Sequence, residues 1–593
     1  MDRYGLICRS IYEDSDVTQR ELSSILGVSL GSVNKLVSDC INDGLIQNRS
    51  EHGKYSLTKK GMDYLEQYRV DGAVITAAGF GSRFVPLSFE TPKGLLEVFG
   101  ERMIERQIRQ LHEAGITDIT LVVGYLKEKF EYLIDKYNVK LFYNPEYTSK
   151  GTLATVYQAR EFFRGRNMYL LVSDNWIRDN MFHTYECGSW YSAVYMEGNT
   201  SEWCLGANKK GKVTSVVVGG QDSWVMYGPA FMSKNFSASF IPLLEADYNR
   251  PGTEQCYWEQ VLLNHIDKLD FYMNCQPEDQ VYEFENLEEL RLFDPKYRNH
   301  SDNEAMRLVS QVFQVKESAI SNIRCLKSGM TNKSFLFEVN NEHYICRIPG
   351  PGTELLINRK EEQASYHAVE PLDITEHIIY FDGENGYKIA KFYEGSRNAN
   401  AKNWDDIAAC MAVLRKLHQS NLKVGHRFNL RERIDFYEAL CHHHELLLFE
   451  DYNEVRGWMN TLLDRVEKFD RPCCLSHIDS VADNFLFLPD GSVRLIDWEY
   501  AAMHDPLIDI SMCSIYSYYN EEELDRLLEL YLERVPSPEE RIVTYAYAAL
   551  GGFLWCLWAV FKSLEGEEFG EYTIVMYHYA KLYYKRISRL FPA

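Results

Sequence analysis

The feature that most constrains the fold is a repeated alternation of short apolar strands and amphipathic helices between Asp71 and Asp294. Strand-like runs such as GAVITAAG, DITLVVGY and MYLLVSDN alternate with helical stretches such as MIERQIRQLHEAG. Parallel strands need crossover connections and are covered on both faces, so the pattern predicts an α/β domain with a parallel sheet. Ligands of such sheets bind at the carboxyl ends of the strands.

A glycine loop follows the first strand, in the stretch AVITAAGFGSRFVPLSFETPKGLLEV that begins at Ala73. A dinucleotide-binding fingerprint needs a third glycine where this chain has Phe84. The pattern is instead G-x-G-S-R followed by Pro-Lys. Small residues in this loop let backbone N–H groups approach phosphates, and the side chains of Arg83 and Lys93 add positive charge. The predicted nucleoside-triphosphate site consists of Ala78, Gly79, Gly81, Ser82, Arg83 and Lys93.

Length and composition limit what the rest of the chain can be. The 593 residues suffice for three or four domains, and a net charge of -23 excludes a general nucleic-acid or membrane binder. The 14 cysteines include no CxxC pair, which indicates reduced thiols in a cytoplasmic protein. Charged residues near the start argue against a signal peptide. The long apolar run from Tyr545 to Phe561 is short for a bilayer span and is interpreted as a buried helix.

The first seventy residues contain two short helical patterns split by Gly27-Val28-Ser29, followed by a hairpin pattern. Thr18 and Ser29 stand at N-cap positions, and Glu21 completes a capping box with Thr18. This segment resembles the winged helix-turn-helix of bacterial transcription regulators, with Leu30 to Asn42 as the recognition helix. The resemblance implies DNA as a partner, whereas acidic residues on the same helix leave docking or dimerisation as the alternative. The candidate groove-facing residues are Ser29, Ser32, Asn34 and Lys35.

The densest group of candidate catalytic residues lies in CLSHIDSVADNFLFLPDGSVRLIDWEY. Asp479 and Asn484 are five residues apart, which is the kinase spacing of a catalytic aspartate and a metal-binding asparagine. The strand SVRLID then leads to Asp497, and Glu499 follows. This pattern predicts Asp479 as the base that accepts a substrate hydroxyl proton, and Asn484, Asp497 and Glu499 as Mg²⁺ ligands. A β-rich stretch followed by helices predicts a protein-kinase-like α+β phosphotransferase.

The predicted domain at residues 71–297 resembles the sugar-phosphate nucleotidyltransferases, and most of all the bacterial choline-phosphate cytidylyltransferases. The resemblance rests on AAGFGSRFVPLSFETPKGLLEV, IERQI, VVGYLKEKFEYL, VSDN and YWEQ. It implies a Rossmann-like α/β domain in which Lys93 and Arg83 contact the phosphates of CTP and Asp174 binds Mg²⁺. It also implies Glu259 as the second metal carboxylate, although close relatives have Asp there. The implied phosphocholine-binding residues, whose rings would hold a quaternary ammonium, are Glu202, Trp203 and Tyr257.

The predicted domain at residues 304–593 resembles the choline/ethanolamine kinase and aminoglycoside phosphotransferase family. SGMTNKSFLFEV matches the family's nucleotide loop and supplies Thr331 and Asn332 as ATP contacts. Arg347, in YICRIPG, stands where protein kinases have a lysine, with Glu362 ahead of Glu361 as its helix partner. GGFLWCLW matches the helix whose tryptophans line a choline pocket. The implied choline-pocket residues are Tyr516, Trp555 and Trp558.

These features predict three domains, at residues 1–70, 71–297 and 304–593. The chain is predicted to phosphorylate choline with ATP and to transfer CMP from CTP to phosphocholine. The product, CDP-choline, would serve the decoration of bacterial surface polymers. One alternative keeps the chemistry but uses ethanolamine or an aminophosphonate, because Tyr516 stands where animal choline kinases have a glutamate. The other is a DNA-binding regulator whose catalytic domains only sense ligands.

Overall fold

The computed structural model describes residues 1–49, 55–326, 332–350, 352–444, 449–563 and 569–591. Two compact units make up the chain. The first consists of Met1–Arg307 with Lys316–Ser318, and the second of Leu308–Val315 with Ala319–Ala593. The predicted winged helix and nucleotidyltransferase domains both lie in the first unit, and most of the predicted kinase-like domain lies in the second.

The first seventy residues form a small α+β module. Its elements are α1 (Arg3–Glu13), α2 (Gln19–Leu26), α3 (Leu30–Asn42), β1 (Ile46–Asn48), β2 (Tyr55–Leu57) and α4 (Lys59–Glu66). The predicted capping box is present, because Thr18 and Glu21 each accept a hydrogen bond from the other's backbone N–H. Ser29 caps α3 by accepting from the Ser32 N–H. The strands β1 and β2 pair antiparallel, so the module has the helix order and hairpin of a winged helix.

The winged helix is attached to the following domain through α1. Arg9 donates from Nη1 to Glu186 Oε2 at 2.8 Å, and the Asp2 N–H donates to the Cys187 carbonyl at 2.9 Å. Gly5 lies so close to this segment that a Cβ at that position would meet Cys187 Sγ at 2.9 Å. Tyr185 and Cys187 belong to the same buried cluster as the winged-helix core. The two modules therefore share a core within the first unit.

The predicted nucleotidyltransferase domain is built on a seven-stranded sheet with the order β12-β10-β11-β8-β3-β6-β7. Strands β3, β6, β7 and β8 are mutually parallel, while β11 runs antiparallel to both β8 and β10. The strands of this sheet are β3 (Gly72–Ala77), β6 (Ile119–Val123), β7 (Lys140–Tyr143), β8 (Met168–Val172), β10 (Trp190–Ala207), β11 (Val213–Met232) and β12 (Tyr272–Gln276). Two separate strand pairs are formed by β4 (Glu97–Val98) with β5 (Glu101–Arg102), and by β9 (Asn175–Ile177) with β13 (Val281–Glu283). The helices are α5 (Met103–Glu113), α6 (Tyr132–Tyr137), α7 (Thr152–Ala159), α8 (Lys234–Tyr248), α9 (Glu259–Asn264) and α10 (Leu287–Phe293).

The buried strands of this sheet explain where its polar residues gather. Val74 in β3, Leu121 in β6 and Leu171 in β8 are buried, as the apolar runs of the sequence predicted. The chain leaves β3 into the glycine loop and leaves β8 at Ser173 and Asp174. Because β3 and β8 are adjacent and parallel, both loops emerge at the same edge of the sheet.

The second unit has a β-rich part followed by a helical part. A five-stranded antiparallel sheet with the order β14-β15-β16-β18-β17 forms the β-rich part. Its strands are β14 (Ser321–Cys325), β15 (Asn332–Val339), β16 (Glu342–Pro349), β17 (Ile378–Phe381) and β18 (Lys388–Lys391). The later strands of the unit lie outside this sheet and are β19 (Arg397–Asn398), β20 (Cys474–Ser476), β21 (Phe485–Phe487), β22 (Val493–Leu495) and β23 (Ala502–His504). The helices of this region are α11 (Glu304–Phe313), α12 (Arg359–Val369), α13 (Trp404–His418), α14 (Leu430–His443), α15 (Tyr452–Val466), α16 (Leu507–Tyr516), α17 (Glu521–Leu532), α18 (Pro538–Lys562) and α19 (Tyr572–Leu590).

Helix α18 contains the long apolar run of the sequence. Among the described residues, α18 is the one helix that is long and apolar enough to cross a membrane. Its most apolar stretch is wholly buried inside the protein. Ser537 caps its start and forms a capping box with Glu540. The helix packs in the large core of the second unit with residues of α14, α16 and α19. The interpretation as a buried helix agrees with this packing.

Candidate active sites

The first candidate site is a cavity of about 330 Å³ at the carboxyl ends of β3 and β8. Its wall includes Ala78, Gly79 and Gly81 from the glycine loop, together with Lys93 and Asp174. Gly81 has a φ of 66°, in the left-handed region that glycine adopts without strain. The volume lies in the range of small-molecule sites. The structure thus brings five of the predicted residues to one cavity.

Lys93 and Asp174 meet directly in this cavity. Lys93 Nζ lies 2.6 Å from Asp174 Oδ2, and both side chains are largely shielded from solvent. The ring of the buried Phe84 lies 4.9 Å from Lys93 Nζ. The residue that breaks the dinucleotide fingerprint therefore supports the lysine through a cation–π contact.

Ser82 and Arg83 lie in a short 3-10 turn, Ser82–Phe84, and both are exposed. Arg83 forms an ion pair with Glu285, which follows β13. Within the described residues, neither Ser82 nor Arg83 lines the cavity. A contact between Arg83 and a phosphate therefore needs the arginine to turn away from Glu285, and this role stays a prediction.

The carboxylate that the structure brings to Asp174 is Glu283, a residue that no sequence motif had indicated. β13 pairs with β9 so that Glu283 lies opposite Asn175, the residue after Asp174. Glu283 lines the cavity, and Tyr227 holds its backbone by donating to the Glu283 carbonyl at 2.9 Å. Burial, and then the neighbouring Asp174 carboxylate, raise the pKa of Glu283.

Glu259, the expected second metal carboxylate, has different surroundings. It begins α9 and accepts a hydrogen bond of 3.0 Å from the Tyr191 hydroxyl. Burial raises its pKa to about 7. In the described part of the chain, Glu259 does not line the cavity that holds Asp174. The geometry pairs Asp174 with Glu283 instead, because the β9–β13 register brings them together, and the metal role of Glu259 stays a prediction.

The predicted phosphocholine residues form a partly open aromatic corner. The Trp203 and Tyr257 rings are 6.5 Å apart at an interplanar angle of 70°, and the Tyr257 side chain is 53% exposed. Glu202, also exposed, precedes Trp203 on β10. The Glu202 carboxylate adds to the rise in the pKa of Glu283.

The donor set of the first site fits a hard cation. Asp174 Oδ1 is buried and, within the described residues, accepts no hydrogen bond. A buried carboxylate oxygen without a partner is costly unless a cation satisfies it. Asp174 and Glu283 offer the oxygen ligands that Mg²⁺ prefers. These two residues could therefore hold Mg²⁺.

The second candidate site is built around Asp479. Asn484 Nδ2 donates to the Asp479 carbonyl at 2.9 Å and to Asp479 Oδ2 at 3.1 Å, which closes the loop between them. His477 Nε2 lies 3.0 Å from the Ile496 carbonyl, and burial lowers the pKa of this histidine. The imidazole packs edge-on against Trp498 at 4.8 Å. These contacts orient the loop that carries Asp479.

Asp509 anchors the same loop from α16 and was not selected from the sequence. The N–H groups of His477 and Ile478 donate to its two carboxylate oxygens at 2.8 and 2.6 Å. His418 Nε2 lies 2.9 Å from Asp509 Oδ2. Although burial alone would raise the pKa of Asp509, these hydrogen bonds keep it below its usual range. The catalytic-loop backbone is thus held by a buried carboxylate.

The protonation of Asp479 is set by its burial. Desolvation, and then the Asp497 carboxylate, raise the pKa of Asp479 to about 7. The Tyr516 hydroxyl donates a hydrogen bond to Asp479 and opposes this rise. A carboxylate with such a pKa is suited to accept a proton near neutral pH.

An aromatic cluster adjoins Asp479. Trp555 lies 6.0 Å from Tyr516, 5.2 Å from Tyr500 and 6.1 Å from Trp558, measured between ring centroids. Trp558 lies 5.3 Å from Phe569. Trp555 Nε1 donates to the thioether sulfur Sδ of Met512 at 3.2 Å, which fixes the ring. The predicted residues Tyr516, Trp555 and Trp558 are therefore brought together beside the candidate base.

The predicted arginine of this site is fixed by a buried ion pair. Arg347 donates from Nη1 to Glu362 Oε1 at 2.5 Å and from Nη2 to Glu362 Oε2 at 3.0 Å. Asp497 Oδ1 lies 3.7 Å from Arg347 Nη1, and Asp497 has a φ of 66°. The partner is Glu362 and not Glu361. The nucleotide-loop residue Thr331 lies outside the described residues.

The Glu499 side chain is buried and contacts residues from the β-rich part of the second unit. Arg359 Nη1 lies 3.3 Å from Glu499 Oε2, and Asn332 Nδ2 donates to the same oxygen at 3.1 Å. Burial, and then the Asp497 carboxylate, raise the pKa of Glu499. Its role as a metal ligand stays a prediction.

Asp497 fits a hard cation in the same way as Asp174. Its Oδ1 is buried and, over the described ranges, makes no hydrogen bond. Asn484 and Asp497 supply oxygen ligands of the kind that Mg²⁺ takes next to a nucleotide. These residues could therefore hold Mg²⁺ in the second site.

Comparison with known proteins finds relatives of separate parts of the chain. A nucleotidyl transferase family model matches residues 72–186. The chain is 31% identical to the choline-phosphate cytidylyltransferase of Streptococcus pneumoniae over 229 residues, which cover 39% of this chain and 99% of that protein. The chain belongs to the nucleotidyl transferase family. It is also 34% identical to the 2-aminoethylphosphonate cytidylyltransferase of Lancefieldella rimae over 227 residues, or 38% of this chain and 92% of that protein.

The other two modules of this transferase match families of their own. A phosphotransferase enzyme family model matches residues 322–542, and a winged helix-turn-helix DNA-binding model matches residues 6–47. The crystal structure of choline kinase LicA from Streptococcus pneumoniae is 27% identical, covers 49% of this chain and all of that chain, and has a TM-score of 0.43. The three predicted fold classes and the predicted family resemblances are confirmed.

Proposed function

We propose that this chain is a bifunctional enzyme of the cytoplasm. It phosphorylates choline with ATP, and it transfers CMP from CTP to the resulting phosphocholine to yield CDP-choline and pyrophosphate. The observation that carries the proposal is the aromatic cluster of Tyr516, Trp555 and Trp558 beside Asp479. Aromatic faces attract a quaternary ammonium, and the adjacent carboxylate can take the proton of its hydroxyl. The proposed use of CDP-choline is decoration of bacterial surface polymers.

In the kinase step, the hydroxyl oxygen of choline attacks the γ-phosphorus of ATP, and the bond to the β,γ-bridging oxygen breaks. Asp479 accepts the hydroxyl proton, and ADP leaves. The buried Arg347–Glu362 pair holds a fixed positive fork near the phosphates. The Asp509 anchor keeps the Asp479 loop rigid during transfer. Positioning and charge thus supply the catalysis.

In the transferase step, a phosphate oxygen of phosphocholine attacks the α-phosphorus of CTP, and pyrophosphate leaves. Lys93 places its ammonium where the charge of the leaving group grows. The glycine loop offers backbone N–H groups to the phosphates. Trp203 and Tyr257 would contact the trimethylammonium end of the acceptor. Mg²⁺, when held by Asp174 and Glu283 or by Asn484 and Asp497, would neutralise phosphate charge in the respective site.

A 2-aminoethylphosphonate acceptor is the second candidate for the transferase step. The 34% identity with a cytidylyltransferase named for that compound favours it. The second unit argues against it, because phosphorylation of an alcohol makes a C–O–P ester and never a C–P bond. A chain that produces a phosphate monoester is best matched to phosphocholine as the acceptor.

Product analysis tests the proposal. The purified chain is incubated with CTP, ATP and MgCl₂ and with choline, ethanolamine, phosphocholine or 2-aminoethylphosphonate, and the products are identified by mass spectrometry. We expect CDP-choline from choline only when both nucleotides are present, and from phosphocholine with CTP alone. CMP-aminoethylphosphonate in clear preference to CDP-choline would select the second candidate. Absence of any cytidylylated product would refute the transferase assignment.

We also propose that the winged helix binds duplex DNA through α3. Ser32, Asn34 and Lys35 on α3 are exposed, as a recognition surface requires. Binding of fluorescent duplex DNA should weaken as salt rises, because phosphate contacts release counterions. Lys35→Ala should lower the affinity and the salt dependence. Binding that is absent at low salt would leave docking as the role of this module.

A further inference from the structure

We propose that Arg359 is a positioning residue of the phosphotransferase site, which joins the strand leaving the nucleotide loop to Glu362 and Glu499. The proposal rests on the kinase activity proposed above. Arg359 is the first residue of α12 and is only 7% exposed. An arginine is rarely buried unless it is paired, so its partners indicate what it does.

The guanidinium of Arg359 contacts three elements at once. Nη1 donates to Glu362 Oε2 at 2.7 Å and lies 3.3 Å from Glu499 Oε2. Nη2 donates to Asn332 Oδ1 at 2.9 Å. Asn332 Nδ2 in turn donates to Glu499 Oε2 at 3.1 Å, which closes a triangle of three side chains. One residue therefore links β15, α12 and the segment that follows Asp497.

Asn332 gives this triangle its consequence for ATP. It is the first residue of β15, directly after the predicted nucleotide loop. Fixing the end of a loop limits the positions that the loop can take. By holding Asn332 against Glu499, Arg359 fixes where β15 begins relative to Asp497. Preorganisation of this kind lowers the cost of binding a triphosphate.

The planar fork of arginine is needed for this arrangement. Glu362 receives both Arg347 and Arg359, so two guanidinium groups share one carboxylate. A lysine at position 359 would keep the charge but would be a single point of positive charge and could not reach Asn332 and Glu499 in the same plane. The neighbouring Lys360 differs, because it is 66% exposed and pairs on the surface with Glu384.

Gly386 leaves the space that the Arg359 side chain occupies. It has a φ of 78°, and a Cβ there would meet Pro349 Cγ at 2.7 Å and Arg359 Cδ and Nε at 2.9 Å. Its carbonyl also accepts a hydrogen bond of 3.2 Å from Arg347 Nη2. Gly386→Ala therefore presses on Arg359 without changing its guanidinium, although it also acts on Pro349 and on the Arg347 contact, so it supports and does not replace Arg359→Lys.

The test compares Arg359→Met, Arg359→Lys and Gly386→Ala with the control Lys360→Met. The full chain is assayed for KM of ATP, KM of choline and kcat, and binding of the non-hydrolysable analogue AMP-PNP is measured by calorimetry. Loss of a hydrogen-bonded charge predicts a roughly 10- to 100-fold weaker AMP-PNP affinity and a matching rise in KM of ATP for Arg359→Met. We expect Arg359→Lys and Gly386→Ala to weaken AMP-PNP affinity at least about fivefold. The KM of choline should change less than about twofold in these variants, and the AMP-PNP affinity of Lys360→Met should also change less than about twofold.

Unchanged AMP-PNP affinity in Arg359→Lys and Gly386→Ala overturns the proposal. Equal loss of ATP and choline binding also overturns it, because that outcome indicates a merely structural role. If Arg359→Met fails to fold by near-UV circular dichroism, the two milder variants decide. Failure of the wild-type chain to phosphorylate choline would count against the proposed function, whereas AMP-PNP binding would still test Arg359.

Discussion

The two candidate sites both place a basic side chain against carboxylates, but they hold it differently. In the first, Lys93 makes one ion pair with Asp174 at a cavity wall and rests on Phe84. In the second, Arg347 is buried and held by both oxygens of Glu362. A flexible ammonium can follow charge as it moves onto a leaving pyrophosphate, whereas a locked fork fixes a triphosphate in one pose. The difference suggests that the first site adapts during transfer and that the second is preorganised.

The largest effect that separates the sites is expected from Asp479→Asn. Removing the base should lower kcat of choline phosphorylation about 10³-fold, since general bases contribute roughly 10²–10⁴-fold. Conversion of phosphocholine to CDP-choline should stay within about twofold, because Asp479 belongs to a different unit. Separate assays of the two half-reactions measure both values. Asp483→Asn, an exposed aspartate of the same loop, is the control. Equal loss of both reactions would contradict two independent sites.

Lys93→Met should produce the mirror image. Without the ammonium, the charge on the leaving pyrophosphate is uncompensated, and kcat of cytidylyl transfer should fall roughly 10²–10³-fold. Choline phosphorylation should be unaffected. Pyrophosphate release, followed by a coupled assay, measures the loss. The exposed Lys129→Met serves as the matched control. A Lys93→Met chain with near-normal transfer would show that the lysine only pairs with Asp174.

A comparison of Glu283→Gln with Glu259→Gln sharpens the description of the first site. Glu283 adjoins Asp174, so its neutral variant should bind Mn²⁺ roughly 10- to 100-fold more weakly. Glu259 contacts Tyr191, so Glu259→Gln should leave Mn²⁺ affinity within about threefold. Electron paramagnetic resonance titration of Mn²⁺ measures both without turnover. The reverse order of effects would restore Glu259 as the second carboxylate.

The smallest predicted effect is the pH dependence of the kinase step. Asp479 works as a base only when ionised, and burial raises its pKa to about 7. Its ionised fraction, and kcat/KM for choline, should therefore rise about tenfold between about pH 6 and pH 8 and then level off. The pH profile of wild type measures this. A rate that is flat down to about pH 5 would mean that the carboxylate keeps its ordinary pKa.

Local sequence patterns predicted more of the fold and less of the carboxylate geometry. Some features depend only on neighbours in sequence, and the structure has them where the patterns indicate. They are the helix Leu30–Asn42, the position of Lys93 in the loop after β3, and the loop spacing of Asp479 and Asn484. Glu283 reaches Asp174 only through the pairing of two strands separated by about a hundred residues. Acidic residues alternate with apolar ones in VYEFEN, but that pattern does not reveal the register.

The second site shows the same limit. Asp509 and Arg359 are ordinary members of helical patterns, yet each fixes a loop through contacts between distant segments. No periodicity marks such residues, because their role is defined by the three-dimensional packing around them. The aromatic run of α18 was informative because Trp555 and Trp558 share one face at helical spacing.

The central claim is that one chain carries two reactions in series, with the product of the second unit used by the first. The most direct measurement supplies choline, CTP and ATP labelled with ³²P at the γ-phosphate, and locates the label in the isolated CDP-choline. The account predicts labelled CDP-choline with all ³²P in the phosphate attached to choline and none in the pyrophosphate released. CDP-choline without label, or labelled phosphocholine that is never converted, would contradict it.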